Sequence, residues 1–312
     1  MRPFQSPHVL LIAAVLWVLP TAVFATSWKP TIILVPGSFH RSIVYNEVVS
    51  GLRRAQFNRI YPIDLPSNGN DIHDREPDIN AVRKPLERAL AAGQDVVLVG
   101  NSYGATVIGD ALKDFKSDAV SATRDSKQTR GRGKVLGVVM VSSPCSSTSL
   151  FVWKKHIIPN ANRLAIQLAG FIPYISEVEH PETKLDARTV APPLFRFDNN
   201  SRVWSDGDPN LSAAQAFYNL LPPHESQYWA SKLTFASFNA MNATARYIPY
   251  TGDFNCLYVV GLQDKSIPVA WAQTFFGQPG ARFQVINLDA DHVMMLSKPT
   301  EVVNIIRQVA GS

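Results

Sequence analysis

Three side chains, far apart in the chain, have the types and order that nucleophilic acyl transfer needs. Ser102 sits in Gly100-Asn101-Ser102-Tyr103-Gly104, Asp264 in Gly261-Leu262-Gln263-Asp264-Lys265-Ser266-Ile267-Pro268, and His292 in Asp289-Ala290-Asp291-His292-Val293-Met294-Met295-Leu296. A serine hydroxyl is a weak nucleophile near neutral pH. It needs an imidazole to take its proton and a carboxylate to orient that imidazole and stabilise its charged form. Glycines on both sides of Ser102 mark a strand-to-helix turn too tight for side chains. Asp289 and Asp291 are rival acids, but their adjacency to His292 makes it hard for them to reach its ring from behind. An oxyanion needs two backbone donors. One is the amide of Tyr103, directly after the serine. The other is the amide of Ser38 in Pro36-Gly37-Ser38-Phe39-His40, where Gly37 lets the chain turn in close. Gly37 and His40 are candidates to contact substrate, although His40 could equally bond the loop backbone.

These residues need a scaffold that gathers them at one edge. Short β-rich apolar runs at 31–35, 59–63, 95–100, 135–142, 256–260 and 283–288 alternate with helix-period segments, the signature of an α/β fold with helices on both faces of the sheet. Val44, Val48 and Leu52 recur at helical spacing, as do Val302, Ile305, Ile306 and Val309. The expected architecture is a doubly wound, mainly parallel six-stranded sheet. Ser102, Asp264 and His292 each follow a strand, and open α/β sheets place their ligands at those carboxyl ends. Residues 145–248 carry Phe151, Trp153, Phe171, Tyr174, Phe195, Phe197, Trp204, Phe217, Tyr218, Tyr228, Trp229, Phe235 and Phe238 and read as a mainly helical cap inserted between late strands. The core is then 26–144 with 249–312.

Residues 1–25 hold one charge, Arg2, an apolar run from Val9 to Val18, Pro20 and a Val23-Phe24-Ala25 cleavage signature. The run is short for a spanning helix, which wants about 20 apolar residues, so a cleaved signal peptide and a secreted protein are expected, with no stable membrane span afterwards. Sequons at Asn199, Asn210 and Asn242 are candidate glycosylation sites on that route. The polar stretch 117–134, with Arg124, Lys127, Arg130, Arg132 and Lys134, reads as a solvated surface loop.

Composition narrows the chemistry further. The 312 residues are 46% hydrophobic, ample for a core, and 30 Lys+Arg against 25 Asp+Glu leave a net charge of +5. That excess is too thin for a nucleic-acid surface. Two cysteines and seven scattered histidines show no metal-ligand spacing, so no metal is expected. Cys145 and Cys256 are expected to be free thiols, since the strand placement puts them at opposite ends of the sheet. Oligomeric state is not written in the sequence.

The segments around Ser102, Asp264 and His292, the loop 36–40, the turn Ile63-Asp64-Leu65-Pro66-Ser67-Asn68-Gly69 and the cap pieces Phe217-Tyr218-Asn219 and 227–233 together resemble the α/β-hydrolase superfamily. The resemblance is nearest to the plant methylesterase and hydroxynitrile lyase group with its microbial secreted relatives, and it covers essentially the whole chain after residue 25. It implies a Ser102–His292–Asp264 triad, no cofactor, and a small-molecule ester as substrate. Pro36, where that group usually has His, and the long 117–134 loop are departures. Lyases of the group carry Lys directly after the histidine and a hydroxyl residue at the position of Gly37; Val293 and Gly37 therefore point to ester hydrolysis. Other chemistry on the same scaffold, as lyase or cyclase, and a ligand-binding protein are the alternative classes.

Overall fold

The computed structural model describes residues 29–115, 135–140, 164–168 and 171–311. The expected signal peptide, the 117–134 loop, Cys145, Phe151 and Trp153 lie outside them. The chain opens with β1 (Thr31–Val35), α1 (Asn46–Arg54), β2 (Ile60–Pro62), α2 (Glu76–Ala91), β3 (Val96–Asn101) and α3 (Tyr103–Ala111). β4 (Val135–Met140) and β5 (Leu164–Leu168) follow. A run of short elements comes next: α4 (Ile175–Glu179), α5 (Ala187–Val190), β6 (Arg196–Phe197), β7 (Arg202–Trp204), α6 (Ala213–Phe217), α7 (Pro223–Ala230), β8 (Ala236–Ser237) and α8 (Phe238–Met241). The chain returns to the sheet with β9 (Asn255–Gly261), α9 (Val269–Phe276), β10 (Phe283–Leu288), α10 (Met294–Ser297) and α11 (Pro299–Val309).

All six expected strands are present, with ends shifted by at most two residues, and they pair in parallel in the order β10-β9-β4-β5-β3-β1-β2. Among the described residues the sheet has seven strands rather than six. The extra one, β5, falls inside the stretch 145–248 assigned to the cap, and β4 and β5 each pair with both β3 and β9. Its sequence, Leu-Ala-Ile-Gln-Leu, is a five-residue run whose periodicity does not separate strand from helix. The segment beyond β5 is also less helical than expected, since β6, β7 and β8 form a three-stranded antiparallel sheet among its short helices.

Every residue of β1 and β3 is buried, as a central parallel strand covered on both faces requires. Successive residues serve opposite cores. Ile32, Leu34, Val97 and Val99 join α1 and α11 on one face. Ile33, Val35, Val96 and Leu98 join α2, α3 and α9 on the other. The expected stripes are in place, with Val44, Val48 and Leu52 buried ahead of and along α1 and Val302, Ile305 and Ile306 along α11. Cys256, second residue of β9, is a buried free thiol whose pKa burial pushes well up.

The capping segment is tied to the sheet by a buried cation. Arg75, at the start of α2, donates to Asp110 Oδ2 on α3 at 2.9 Å and to the carbonyl oxygens of Ala240 and Ala243 at 3.2 and 2.6 Å. Asp110 Oδ1 accepts the amides of Arg246 and Tyr247 at 2.7 and 3.2 Å. Buried charges persist only when paired and hydrogen-bonded in this way. Among the described residues no helix is long and apolar enough to cross a membrane.

Candidate active site

The nucleophile position is built by backbone strain. Ser102, between β3 and α3, has φ 49° and ψ −126°, a left-handed conformation costing on the order of 1–3 kcal/mol for a residue with a side chain. Its neighbours must be glycine. A Cβ on Gly104 would stand 2.5 Å from the carbonyl oxygen of Pro36, and one on Gly100 would stand 2.8 Å from the backbone of Gly104. The Ser102 carbonyl accepts the amides of Ala105 at 2.8 Å and of Phe171 at 3.1 Å. Tyr103 is the first residue of α3, so its amide has no acceptor within the helix and stays available to a ligand. The Tyr103 hydroxyl is spent on Asp78, at 2.8 Å.

Asp264 and His292, the expected acid and base, meet beyond the ends of β9 and β10. His292 Nδ1 lies 2.8 Å from Asp264 Oδ2, and both residues are at most 4% exposed. Asp264 is itself fixed, since its Oδ1 accepts the amides of Ser266 at 2.7 Å and Ile267 at 2.9 Å. With Nδ1–H donating to the carboxylate, Nε2 carries the lone pair a general base needs. Asn101, the residue before Ser102, donates from Nδ2 to the His292 carbonyl at 3.1 Å and so joins the histidine loop to the nucleophile turn. The two rival acids are engaged elsewhere. Asp289 accepts from Gln263 Nε2 at 3.0 Å, while Asp291 accepts the Ser297 hydroxyl at 2.6 Å and the Leu220 amide at 3.2 Å. Among the described residues no cluster of His, Cys, Asp and Glu is placed to hold a metal.

The loop after β1 is clamped beside the serine. A Cβ on Gly37 would meet Ser102 Cβ at 2.8 Å, so the glycine is what lets this loop approach. Asn68 holds the loop with three bonds, accepting the Phe39 amide at 3.1 Å and donating to the carbonyls of Gly37 and His40, each at 2.9 Å. Phe39 is left-handed, φ 72°, with its ring against Phe195 and Phe217. His40 bonds the loop backbone, the second of its two expected roles. Its Nδ1 donates to the Ser38 carbonyl at 2.7 Å, which leaves Nε2 to accept the Tyr218 hydroxyl at 2.8 Å.

Ser38, Ser102 and Tyr103 open into a tight cavity of ≈ 60 Å³ walled by Phe171, Ala187, Val190, Ala191, Pro192, Phe195, Phe197, Met241, Ser266, Ile267 and Trp271. Gly37 and His40 are not among its lining residues, and none of the lining residues is charged. Three of the cap aromatics, Phe171, Phe195 and Phe197, face this cavity; Phe217 instead packs on the His292 ring at 5.3 Å, and Trp204 pairs with Phe235. Asn68 and Trp271 have roles here that the sequence did not single out, although the Ser67-Asn68-Gly69 turn carried a signal; Tyr218, read from the sequence as a cap residue, takes the far nitrogen of His40. Asn199 and Asn210 are exposed, whereas Asn242 is half-buried and its Oδ1 accepts Lys184 Nζ at 2.9 Å and the Ala187 amide at 2.8 Å.

Two buried groups behind the site titrate in opposite senses. Burial, against the hydrogen bonds from Ser297 and Leu220, pushes the Asp291 carboxyl up from 3.8 to about 6. Burial pushes the His40 imidazole down from 6.5 to about 3. Asp291 keeps its proton in the folded chain after the unfolded chain has lost it, so it costs stability as pH rises from about 4 to about 6. His40 refuses a proton the unfolded chain takes, so it costs stability as pH falls from about 6.5 towards 3. Where both act, the slopes oppose each other at up to about 1.4 kcal/mol per pH unit each. Asp291→Asn removes one of them. Urea denaturation should show the variant losing stability on acidification from pH 6 to 4 by on the order of 2 kcal/mol more than the unsubstituted chain. Parallel pH profiles for the two would refute the placement of this proton.

A family model described as the alpha/beta hydrolase family matches residues 32–305. The chain is 25% identical over 287 residues to alpha/beta hydrolase nvfD of Aspergillus novofumigatus, covering 91% of this chain and 97% of that one. It is 23% identical over 287 residues to salicylic acid-binding protein 2 of Nicotiana tabacum, covering 89% and 96%. Among solved structures, polyneuridine aldehyde esterase superposes with a TM-score of 0.53 at 17% identity, covering 90% and 99%. Tomato methylketone synthase I superposes with a TM-score of 0.55 at 15% identity, covering 91% and 98%. At those identities the structures speak for the fold alone. With nearly the whole described chain under the family model, the protein belongs to the alpha/beta hydrolase family.

Proposed function

We propose that the chain is a serine hydrolase that cleaves a carboxylic ester of a small to medium, mainly apolar substrate through an acyl-enzyme. The observation that carries this reading is the buried Asp264–His292 hydrogen bond, joined through Asn101 to the strained turn that presents Ser102. His292 Nε2 takes the Ser102 proton as Oγ bonds to the ester carbon, and the carbonyl oxygen takes up the negative charge before the amides of Ser38 and Tyr103. The proton passes to the leaving alkoxide as its bond to carbon breaks. Water, deprotonated by His292, then attacks the acyl carbon and frees Ser102 as the carboxylic acid leaves. No cofactor takes part. An uncharged, aromatic-walled cavity suits a neutral acyl group.

Ser102→Ala should lower kcat by on the order of 10⁶ on p-nitrophenyl and methyl esters while leaving the fold intact. Turnover within about tenfold of the unsubstituted chain would sink the mechanism. The same preparation tests the lyase alternative. Val293, which follows His292, is fully buried and uncharged and offers nothing to a departing cyanide. Ser102-dependent cyanide release from mandelonitrile, with no ester cleaved, would replace the esterase reading.

Trp271 sets the acyl size in this reading. Together with Val190, Pro192 and Ser266 it lines both the cavity and a second, neighbouring, mainly apolar hollow that reaches Leu194, Leu211 and Pro268, with Asp208 and Lys265 also in its wall. Trp271→Ala should join the two and raise kcat/KM for a decanoyl over a butyryl ester by about tenfold or more, since each buried methylene is worth about 1–3 kcal/mol. An unchanged ratio would show that the acyl chain runs elsewhere.

The same reading includes secretion through residues 1–25 and glycans at the sequons. Asn199 and Asn210 are exposed and sterically suited; at Asn242 a glycan would have to share the residue with its bonds to Lys184 and Ala187. Protein secreted from a eukaryotic host should lose mass on treatment with an amidase that removes N-glycans, and Asn199→Gln and Asn210→Gln should each reduce that loss. Secreted protein of unglycosylated mass would refute the assignment.

A further inference from the structure

We propose that the Ser38 hydroxyl is a third donor to the carbonyl oxygen that becomes negative during attack by Ser102, beside the amides of Ser38 and Tyr103. The proposal rests on the serine-hydrolase reading and deepens it. Ser38 is 5% exposed, and its Oγ is buried without a hydrogen-bond partner among the described residues. Buried hydroxyls are normally satisfied, so an orphan in an active-site wall is a group kept for a ligand. Ser38 lines the same cavity as Ser102 and Tyr103, and a Cβ on the preceding glycine would stand 2.8 Å from Ser102 Cβ. The Tyr103 hydroxyl, the obvious competing donor in that wall, is committed to Asp78.

The backbone that carries the hydroxyl is held still. The Ser38 carbonyl accepts His40 Nδ1, the Phe39 amide is held by Asn68, and Asn68 grips the carbonyls on either side at Gly37 and His40. A donor carried on a fixed backbone has only its own rotor to settle when charge develops, close to the preorganisation under which oxyanion donors act on kcat. During acylation the Ser102 Oγ–carbon bond forms, the carbonyl π pair moves to oxygen and His292 receives the Ser102 proton. The Ser38 proton is shared with the oxyanion and stays on Ser38.

Ser38→Ala removes the hydroxyl and keeps both amides. The expected result is a kcat lower by about 10- to 100-fold, a KM within about threefold and an unchanged Tm. The Ki of an alkyl trifluoromethyl ketone, which forms an oxyanion on Ser102, should rise by the same factor as kcat falls. A purely structural role for Ser38 would lower Tm and leave the ketone no more affected than the product acid. A Ser38→Ala kcat within twofold of the unsubstituted chain, or a loss confined to KM with unaltered ketone inhibition, would overturn the proposal while the esterase reading stands. An unsubstituted chain inert both to esters and to a serine-directed fluorophosphonate would overturn the reading itself and the proposal with it.

Discussion

The site depends on one close approach. The first turn of α3 lies against the end of β1 so tightly that only glycine fits at 104, with the carbonyl oxygens of Val35 and Pro36 at 2.6 and 2.5 Å from where a Cβ would stand. That contact sets the distance between two segments that are far apart in the sequence and adjacent in the sheet. It brings the Gly37 loop close to Ser102 and places Ser38, Ser102 and Tyr103 in the wall of one cavity. The left-handed backbone at Ser102 follows from the same geometry, because a strand can enter a helix within one residue only through a strained turn. Two apolar cores, one on each face of β1 and β3, hold that strain in place.

The segment over the cavity also supports it from behind. Phe217 lies on the imidazole of His292, its carbonyl accepts the Val293 amide at 3.3 Å, and Tyr218 satisfies His40. Leu220 caps Asp291, and Arg75 runs beneath α8 to Asp110. The Phe217, Tyr218 and Leu220 contacts join the segment after β5 to loops at the carboxyl edge of the sheet, and the neutral, buried His40 links Tyr218 to the Ser38 peptide.

Much of this was legible because the relevant signals are local. Gly-x-Ser-x-Gly after a buried strand, an aspartate just past β9 and a histidine just past β10 are each readable in a window of about ten residues. Alternation of apolar runs with helical stripes gave the six strands for the same reason. What stayed hidden depends on contacts between distant segments. β5 sits inside a long insertion and has a sequence that suits either element. Asn68 looks like a turn residue until its three bonds to the 37–40 loop are seen. His40 had two open roles because nothing local says that a tyrosine 178 residues away satisfies its far nitrogen. Trp271 belongs to α9, outside the cap, so a search for pocket aromatics within the cap passes over it.

The buried thiol of Cys256 has a consequence for handling the protein. It is the second residue of β9, the strand whose far end leads into the Asp264 loop, it is sealed from solvent, and burial keeps it protonated. Only a thiolate attacks disulfide reagents, and only an accessible one reacts. Cys256 is therefore a silent witness under native conditions, and its alkylation counts the moments at which β9 comes away from its neighbours. Alkylation of Cys256, told apart from that of Cys145 by peptide mapping, thus times the opening of the strand that leads to Asp264, with no label attached.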